Sequence, residues 1–179
     1  NLKLDRIYKT IDKIKQVNGR LELVKTFSNN IKVYIDFAHT PDALLKSLNA
    51  LKDQYNKKIS LVFGCGGDRD LSKRAVMAKI ASSNCEKIYV TDDNPRRENP
   101  QKIRIQILKY LSKNKAFNIG KREQAIKKAI QNAEPGEIIL VAGKGHEEKQ
   151  IYKNKTFNVS DKKIIRKLSF KKNIRFKKN

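Results

Sequence analysis

The chain has 179 residues, with 41 Lys and Arg against 18 Asp and Glu, and carries a formal net charge of +23. Hydrophobic residues make up 39% of it, which excludes disorder throughout, and no apolar run reaches the roughly 18 residues of a membrane span. Two cysteines exclude a disulfide framework and two histidines make a zinc site improbable, so with no signal peptide we expect a soluble, cytoplasmic globular domain.

The first predicted element is an amphipathic helix over residues 1–17, which Gly19 ends. Its apolar residues recur at positions 4, 7, 8, 11 and 14. A short extended stretch follows at Arg20–Val24. Because the first residue is Asn rather than Met, we expect the sequence to be a piece of a longer polypeptide.

From residue 31 onward, short apolar strands alternate with amphipathic helices. The pattern predicts strands over 31–37, 59–63, 87–91, 116–119 and 137–142, and helices over 41–55, 72–82, 100–111 and 122–133. This alternation is typical of an α/β fold, Rossmann-like, with a mainly parallel sheet and helices on both faces.

The end of the sequence predicts an antiparallel hairpin at the sheet edge over Gln150–Val159, with Asn154 at its turn. Ser160 is expected to cap a last helix that runs to Leu168, and residues 171–179 form a basic tail. No internal repeat is present.

Polar loops follow four of the predicted strands, at 36–42, 64–70, 92–97 and 143–147. The carboxyl ends of parallel strands meet at one edge of a sheet, which is where ligands bind in such folds. The four loops therefore outline a single site.

The first two loops each leave two interpretations open. Asp36 and His39 could hold a ribose or phosphate, or could merely tie the turn together before Thr40 caps the next helix. The loop 64–70 resembles an anion cradle, although it is neither a dinucleotide fingerprint nor a P-loop. Its Arg69 could be a solvated ion pair with a flanking aspartate or a clamp for a carboxylate.

The last two loops suit the charged ends of an amino acid. Asn94 supplies a donor and an acceptor beside the Arg96 fork, on a turn that Pro95 makes rigid. Gly143 permits close backbone approach, and Glu147 offers a countercharge to an ammonium group. The four loops hold no Ser–His or Cys–His pair for nucleophilic catalysis.

Together these loops resemble the C-terminal domain of the Mur ligases, and within that family the branch that adds meso-diaminopimelate. The resemblance runs from about Gly19 to Leu168. It is carried by five motifs in order: Gly-Arg-Leu-Glu (19–22), Asp-Phe-Ala-His-Thr-Pro-Asp-Ala (36–43), Phe-Gly-Cys-Gly-Gly-Asp-Arg-Asp (63–70), Thr-Asp-Asp-Asn-Pro-Arg (91–96) and Ala-Gly-Lys-Gly-His-Glu (142–147).

The resemblance implies an ATP-dependent ligase of peptidoglycan synthesis. ATP would phosphorylate the D-glutamyl carboxylate of UDP-N-acetylmuramoyl-L-alanyl-D-glutamate, and the amine of diaminopimelate would attack the acyl phosphate. Carried over by motif, the residues that would grip diaminopimelate are Arg69, Asn94, Arg96, Gly143 and Glu147. Those that would close over ATP are Arg20, Asp36 and His39. All of them would bind and orient rather than transfer protons.

The resemblance also implies what this chain lacks. The family holds ATP and Mg²⁺ mainly in a central domain and the UDP group in an N-terminal one, and no segment here matches either. Residues 1–18 would be the end of the central domain or a linker, and 19–170 the amino-acid-binding domain. We expect a monomer that is inactive alone. Two departures, Asn18 for Pro and Phe37 for Tyr, are tolerable.

The charge leaves a different class of function open, a basic α/β module that binds nucleic acid. The composition, 31 Lys against 10 Arg with many Ile and Asn, favours codon drift instead, and few aromatic residues accompany the lysines of the tail. Within the ligase superfamily, the sequence also leaves open a lysine-adding ligase or a folylpolyglutamate-type ligase, and Arg96 and Glu147 argue against both.

Overall fold

The computed structural model describes residues 16–169, together with Leu4, Tyr8 and Thr10. The predicted opening helix lies almost wholly outside the described residues, and so does the basic tail 171–179. None of the helices in the described part combines the length and the apolar composition that a bilayer span requires.

In the described part of the chain, six strands form the main sheet, in the spatial order β1-β2-β6-β3-β4-β5. The strands β2, β6, β3, β4 and β5 are mutually parallel, and β1 pairs antiparallel with β2 at one edge. Their bounds are β1 Glu22–Thr26, β2 Lys32–Asp36, β3 Ile59–Phe63, β4 Lys87–Val90, β5 Ala116–Asn118 and β6 Ile138–Ala142. The predicted α/β class is thereby confirmed.

The register brings the carboxyl ends of the central strands to the same edge. Asp36 at the end of β2 pairs with Ala142 at the end of β6, and Phe63 of β3 pairs with Val90 of β4. The loops after these strands are consequently neighbours. This is the arrangement that the strand pattern predicts.

Five helices are described: α1 Pro41–Tyr55, α2 Ser72–Asn84, α3 Pro100–Leu108, α4 Arg122–Gln131 and α5 Asp161–Lys167. Thr40 caps α1 by accepting from the backbone N–H of Ala43, with Pro41 next, as the sequence predicts. Helix α3 ends three residues earlier than predicted. The N–H groups of Tyr110 and Leu111 bond carbonyls three residues back, which tightens the chain into a turn.

The helices cover both faces of the sheet, and each face has its own apolar core. Helices α1, α2 and α3 pack on one face, and α4 and α5 on the other. Strand β6 shows the alternation: Leu140 faces the first core, whereas Ile139 and Val141 face the second. Burial on both faces explains why β6 is apolar throughout and why β3 is apolar except at Ser60.

The predicted hairpin is present, as β7 Lys149–Tyr152 and β8 Lys155–Asn158, but it forms a separate two-stranded sheet. It lies against the loop after β4, where Arg96 and Tyr152 form a β-bridge. The antiparallel edge of the main sheet is β1 instead. The hairpin therefore lies against the loops rather than extending the sheet.

Candidate functional site

The loops that follow β2, β3, β4 and β6 line one cavity of about 510 Å³. The five residues expected to grip an amino acid all border it: Arg69, Asn94, Arg96, Gly143 and Glu147. Of the three residues expected to meet ATP, His39 borders it, whereas Arg20 and Asp36 lie outside its lining.

Arg69 is exposed, and no carboxylate of the described residues lies within 4.0 Å of its guanidinium. The flanking aspartates have other partners: Asp68 binds Arg97 at 3.0 Å, and Asp70 accepts from the backbone N–H and hydroxyl of Ser72. The Arg97 guanidinium lowers the pKa of Asp68, and the Ser72 hydrogen bonds lower the pKa of Asp70. The Nη1 of Arg69 donates to the Asp68 carbonyl at 3.2 Å. The ion-pair interpretation of Arg69 is therefore not realised among the described residues, and contact with a carboxylate ligand stays a prediction.

Arg96 is half-buried, and its Nη1 donates to the carbonyls of Gly67 at 2.9 Å and Asn94 at 3.4 Å. A Cβ at Gly66 would stand 2.8 Å from that nitrogen, so a side chain there would displace the Arg96 guanidinium from this position. Within the described part of the chain, Arg96 has no ion pair. Its fork is fixed by backbone carbonyls and keeps its charge for a ligand.

Asn94 is buried, and its amide has a defined orientation. Its Oδ1 accepts from the backbone N–H of Ile151 at 2.9 Å, while its Nδ2 lies 3.4 Å from Glu147 Oε2. Because β7 occupies the carbonyl end, the end that remains for a ligand is the NH₂ donor. A donor beside two arginines suits a carboxylate.

Asp93 was missed by the sequence reasoning, although it precedes Asn94 in the same motif. Its Oδ1 accepts from the backbone N–H of Asn94 at 2.7 Å, whereas its buried Oδ2 has no hydrogen-bond partner among the described residues. That oxygen faces Gly143, where an added Cβ would stand 2.8 Å from it. Asp93 therefore adds a second carboxylate to the cavity, opposite a residue that leaves it room.

Lys144 is fully buried beneath Glu147. Its Nζ donates to the Lys149 carbonyl and lies 3.4 Å from Glu147 Oε2. A buried ammonium needs such partners, and their positions hold the loop after β6 against β7. Lys144 is therefore a structural cation behind the Glu147 carboxylate.

Phe37 gathers three cationic or titratable side chains around its ring. The Arg20 guanidinium lies 4.6 Å from the ring centroid, His39 packs edge-on at 4.7 Å, and His146 stacks at 5.7 Å. The Nδ1 of His39 donates to the Phe37 carbonyl at 2.8 Å, which leaves Nε2 for a ligand. Exposed groups of this kind fit phosphate oxygens.

Asp36 is buried, and its carboxylate accepts three hydrogen bonds. They come from the backbone N–H groups of Leu21 and Ala38, at 2.5 and 2.7 Å, and from the Ser47 hydroxyl at 3.1 Å. These bonds join the segment before β1 to the end of β2 and to α1. The turn-tying interpretation is thus realised here, and contact with a ribose stays a prediction.

Cys65 borders the cavity as a buried thiol, 3.9 Å from the sulfur of Met77. Burial raises the pKa of Cys65 to about 12, so the thiolate is scarce at neutral pH. With no activated nucleophile among its described residues, the cavity offers two arginines that have no carboxylate partner, an amide donor and two carboxylates. This set can bind and orient a ligand that carries both charges.

The sequence profile of the family described as "Mur ligase, glutamate ligase domain" matches residues 19–145. The chain is also 44% identical, over 96% of its length, to the UDP-N-acetylmuramoyl-L-alanyl-D-glutamate--2,6-diaminopimelate ligase of Buchnera aphidicola subsp. Schizaphis graminum (strain Sg), and this match covers 35% of that protein. It is 46% identical, over 98% of its length, to the ligase of the same name from Buchnera aphidicola subsp. Baizongia pistaciae (strain Bp), again over 35% of the relative.

A solved structure of a UDP-N-acetylmuramoyl-L-alanyl-D-glutamate--2,6-diaminopimelate ligase is similar to this fold. The TM-score is 0.77 at 32% sequence identity, over 92% of this chain and 34% of that one. The chain therefore spans about one third of the length of the relatives it matches.

Proposed function

The chain belongs to the Mur ligase family, as its glutamate ligase domain, and on that basis we propose that it is the amino-acid-binding portion of a diaminopimelate-adding ligase. The proposed reaction is the ATP-dependent addition of meso-diaminopimelate to UDP-N-acetylmuramoyl-L-alanyl-D-glutamate, a step of peptidoglycan synthesis in the cytoplasm. Residues 19–170 would form the domain, and 1–18 the end of a central domain or a linker.

The observation that carries the proposal is the charge pattern of the cavity. Arg69 and Arg96 have no carboxylate partner within the described chain, and they share the cavity with Asp93 and Glu147. Diaminopimelate has a carboxylate and an ammonium group at each end. One such end would place its carboxylate on the arginines and its ammonium on the acids, which leaves the other amine free to react.

The same pattern argues against lysine as the substrate. Lysine carries an ammonium group but no carboxylate at its distal end, so binding it would enclose an arginine charge without a countercharge. Enclosing an unpaired charge is costly, and sites built for a charged group reject analogues that lack it.

The chemistry would divide between this domain and the rest of the ligase. Transfer of the ATP γ-phosphoryl group to the D-glutamyl carboxylate would release ADP and form an acyl phosphate. Attack by the free amine would then form the amide and release phosphate and a proton. This domain would hold the amine in line for attack, and Arg20 and His39 would meet the ATP phosphates, with Asp36 toward the ribose. Mg²⁺ and the UDP group would be held elsewhere.

Substitution of the two adjacent arginines tests the proposal in a ligase that contains this domain and the remaining two thirds. Arg96→Ala should raise the Michaelis constant for diaminopimelate about 10- to 100-fold, the value of a charge-assisted hydrogen bond, and leave that for ATP within about twofold. Arg97→Ala is the matched control, because the Arg97 side chain is 83% exposed and binds Asp68 outside the cavity.

Two results would refute the assignment. One is an equal rise in the Michaelis constants for diaminopimelate and ATP in Arg96→Ala, which would make Arg96 a general structural residue. The other is a wild-type ligase that adds lysine as efficiently as diaminopimelate, because lysine would leave an arginine of the cavity without a carboxylate.

A further inference from the structure

Strand β7 runs beside the loop that carries Asn94 and Arg96, and three backbone groups of β7 and its turn bind that loop. The Ile151 carbonyl accepts from the Arg96 N–H at 3.0 Å, and the Ile151 N–H donates to Asn94 Oδ1 at 2.9 Å. The Lys153 N–H donates to the Arg96 carbonyl at 2.5 Å. Asn94 and Arg96, the two residues of this loop that are expected to bind the amino acid, are therefore both held by the hairpin.

The neighbouring side chains of β7 hold the start of the same loop. Gln150 is buried, and its Nε2 donates to the carbonyls of Asp92 at 2.9 Å and Asp93 at 2.7 Å. The Tyr152 hydroxyl donates to Asp92 Oδ2 at 2.9 Å. One amide nitrogen thus satisfies two successive carbonyls just before Asn94.

We infer that Gln150 is a positioning residue for the amino-acid site, and that β7 sets the donor orientation of Asn94. The inference deepens the proposed function and rests on it. The loop belongs to no helix or long strand, and Arg96 has a φ of +51°, a left-handed conformation that a side chain disfavours. The hydrogen bonds to β7 offset that cost and fix the direction of the Asn94 and Arg96 side chains.

The two hydrogen bonds that Gln150 donates require a primary amide. Each buried carbonyl needs a donor, and an NH₂ group can supply one hydrogen to each of two acceptors. Methionine has a similar length and volume but no donor. Gln150→Met therefore removes both hydrogen bonds while the strand pairing of β7 with β8 stays in place.

Hydrogen exchange in the 179-residue chain tests the support of the loop without any substrate. In Gln150→Met, the amides of Arg96, Ile151 and Lys153 should exchange about tenfold faster, and those of β3 and β6 should not change. Gln101→Met is the matched control, since Gln101 is exposed on α3. Tyr152→Phe removes a single hydroxyl bond, keeps the ring, and should accelerate the same three amides by a smaller factor.

Kinetics of the longer ligase test the consequence for the site. Gln150→Met should raise the Michaelis constant for diaminopimelate about tenfold, with kcat and the constant for ATP unchanged. A residue that only stabilised the fold would lower the active fraction, and therefore kcat, without this split.

The hydrogen-exchange and kinetic experiments test the inference separately from the proposed function. Unchanged exchange at the three amides in both variants overturns the inference, and so does a fall in kcat with no change in the constant for diaminopimelate. A wild-type ligase that adds no diaminopimelate overturns the proposed function alone, because the exchange arm reads the loop directly.

Discussion

Arg122 and Asp161 form a fully buried ion pair that joins α4 to α5. The pair is bidentate, with Nε to Oδ1 at 2.8 Å and Nη2 to Oδ2 at 2.7 Å. Nη2 also donates to the carbonyl of Ala142, the residue before Gly143. The loop after β6 is thereby anchored to both helices of one face.

Breaking this pair on one side should destabilise the chain strongly. Arg122→Met leaves the Asp161 carboxylate buried without a partner, and we expect a loss of about 3–5 kcal/mol in the free energy of unfolding, measured with urea. The double variant Arg122→Met, Asp161→Leu should recover much of that loss because no buried charge remains. Lys46→Met, in the exposed pair with Asp42, should change it by no more than about 1 kcal/mol. A double variant no more stable than the single one would contradict this account.

Alanine substitutions at two glycines with positive φ distinguish the cost of backbone strain from the cost of steric contact. Gly143 has φ +111° and its added Cβ would meet Asp93 Oδ2 at 2.8 Å, whereas Gly136 has φ +78° and open space around it. Gly136→Ala should cost about 1–2 kcal/mol of unfolding free energy through strain alone. Gly143→Ala should cost more and should also raise the Michaelis constant for diaminopimelate in the longer ligase. Equal stability losses and an unaltered constant would show that the contact with Asp93 is unimportant.

Local sequence patterns predict the elements of this fold well. The apolar runs of β3 and β6 coincide with the observed strands to within a residue, and Thr40-Pro41 starts α1 at the predicted position. These signals work because burial on both faces and capping act within a few residues of chain. The loops that line the cavity follow from them, since parallel strands bring their carboxyl ends together.

Long-range hydrogen bonds, by contrast, are not predictable from such patterns. The bonds from Gln150 to the carbonyls of Asp92 and Asp93 span 58 and 57 residues, and Asn94 looks the same in sequence whichever end of its amide meets the ligand. The place of the hairpin and the free oxygen of Asp93 depend on the same packing. The family resemblance predicts which residues bind the substrate, whereas the structure alone shows which groups hold those residues in place.

The contacts of the Glu98 carboxylate stabilise the fold only while that group is ionised, so they are sensitive to acid. Glu98 accepts from Arg74 at 2.8 Å and from the Asp68 N–H at 2.6 Å, and the Arg74 hydrogen bond lowers the pKa of Glu98. A folded-state pKa below the unfolded value, about 4.3, means that Glu98 contributes stability above that pH. The contribution is lost as the pH falls through the folded-state pKa. Urea unfolding between pH 6 and 3 should therefore show a steeper loss in the wild type than in Glu98→Gln, and parallel curves would contradict the assignment.

Both cysteines should resist alkylation in the folded chain. Burial raises the pKa of Cys65 and of Cys85 to about 12, so the thiolate fraction at pH 8 is about 10⁻⁴. Mass spectrometry after iodoacetamide treatment should find neither residue modified under native conditions and both modified in denaturant. Rapid native modification of Cys65 alone would show that the cavity floor opens to solvent.

Asp93→Asn should separate ligand binding from stability, because the two effects have opposite signs. The substitution keeps Oδ1 to accept from the Asn94 N–H and replaces the unpartnered oxygen by a neutral group, so a buried charge is removed. The free energy of unfolding should stay the same or rise. If Asp93 meets the ammonium group of the substrate, the Michaelis constant for diaminopimelate in the longer ligase should rise about tenfold or more, with that for ATP unchanged.

Asp53→Asn, at an exposed position on α1, is the matched control for Asp93→Asn and should change neither the free energy of unfolding nor the Michaelis constant. A variant that loses stability without losing affinity would place Asp93 among the residues that support the loop rather than those that bind the ligand.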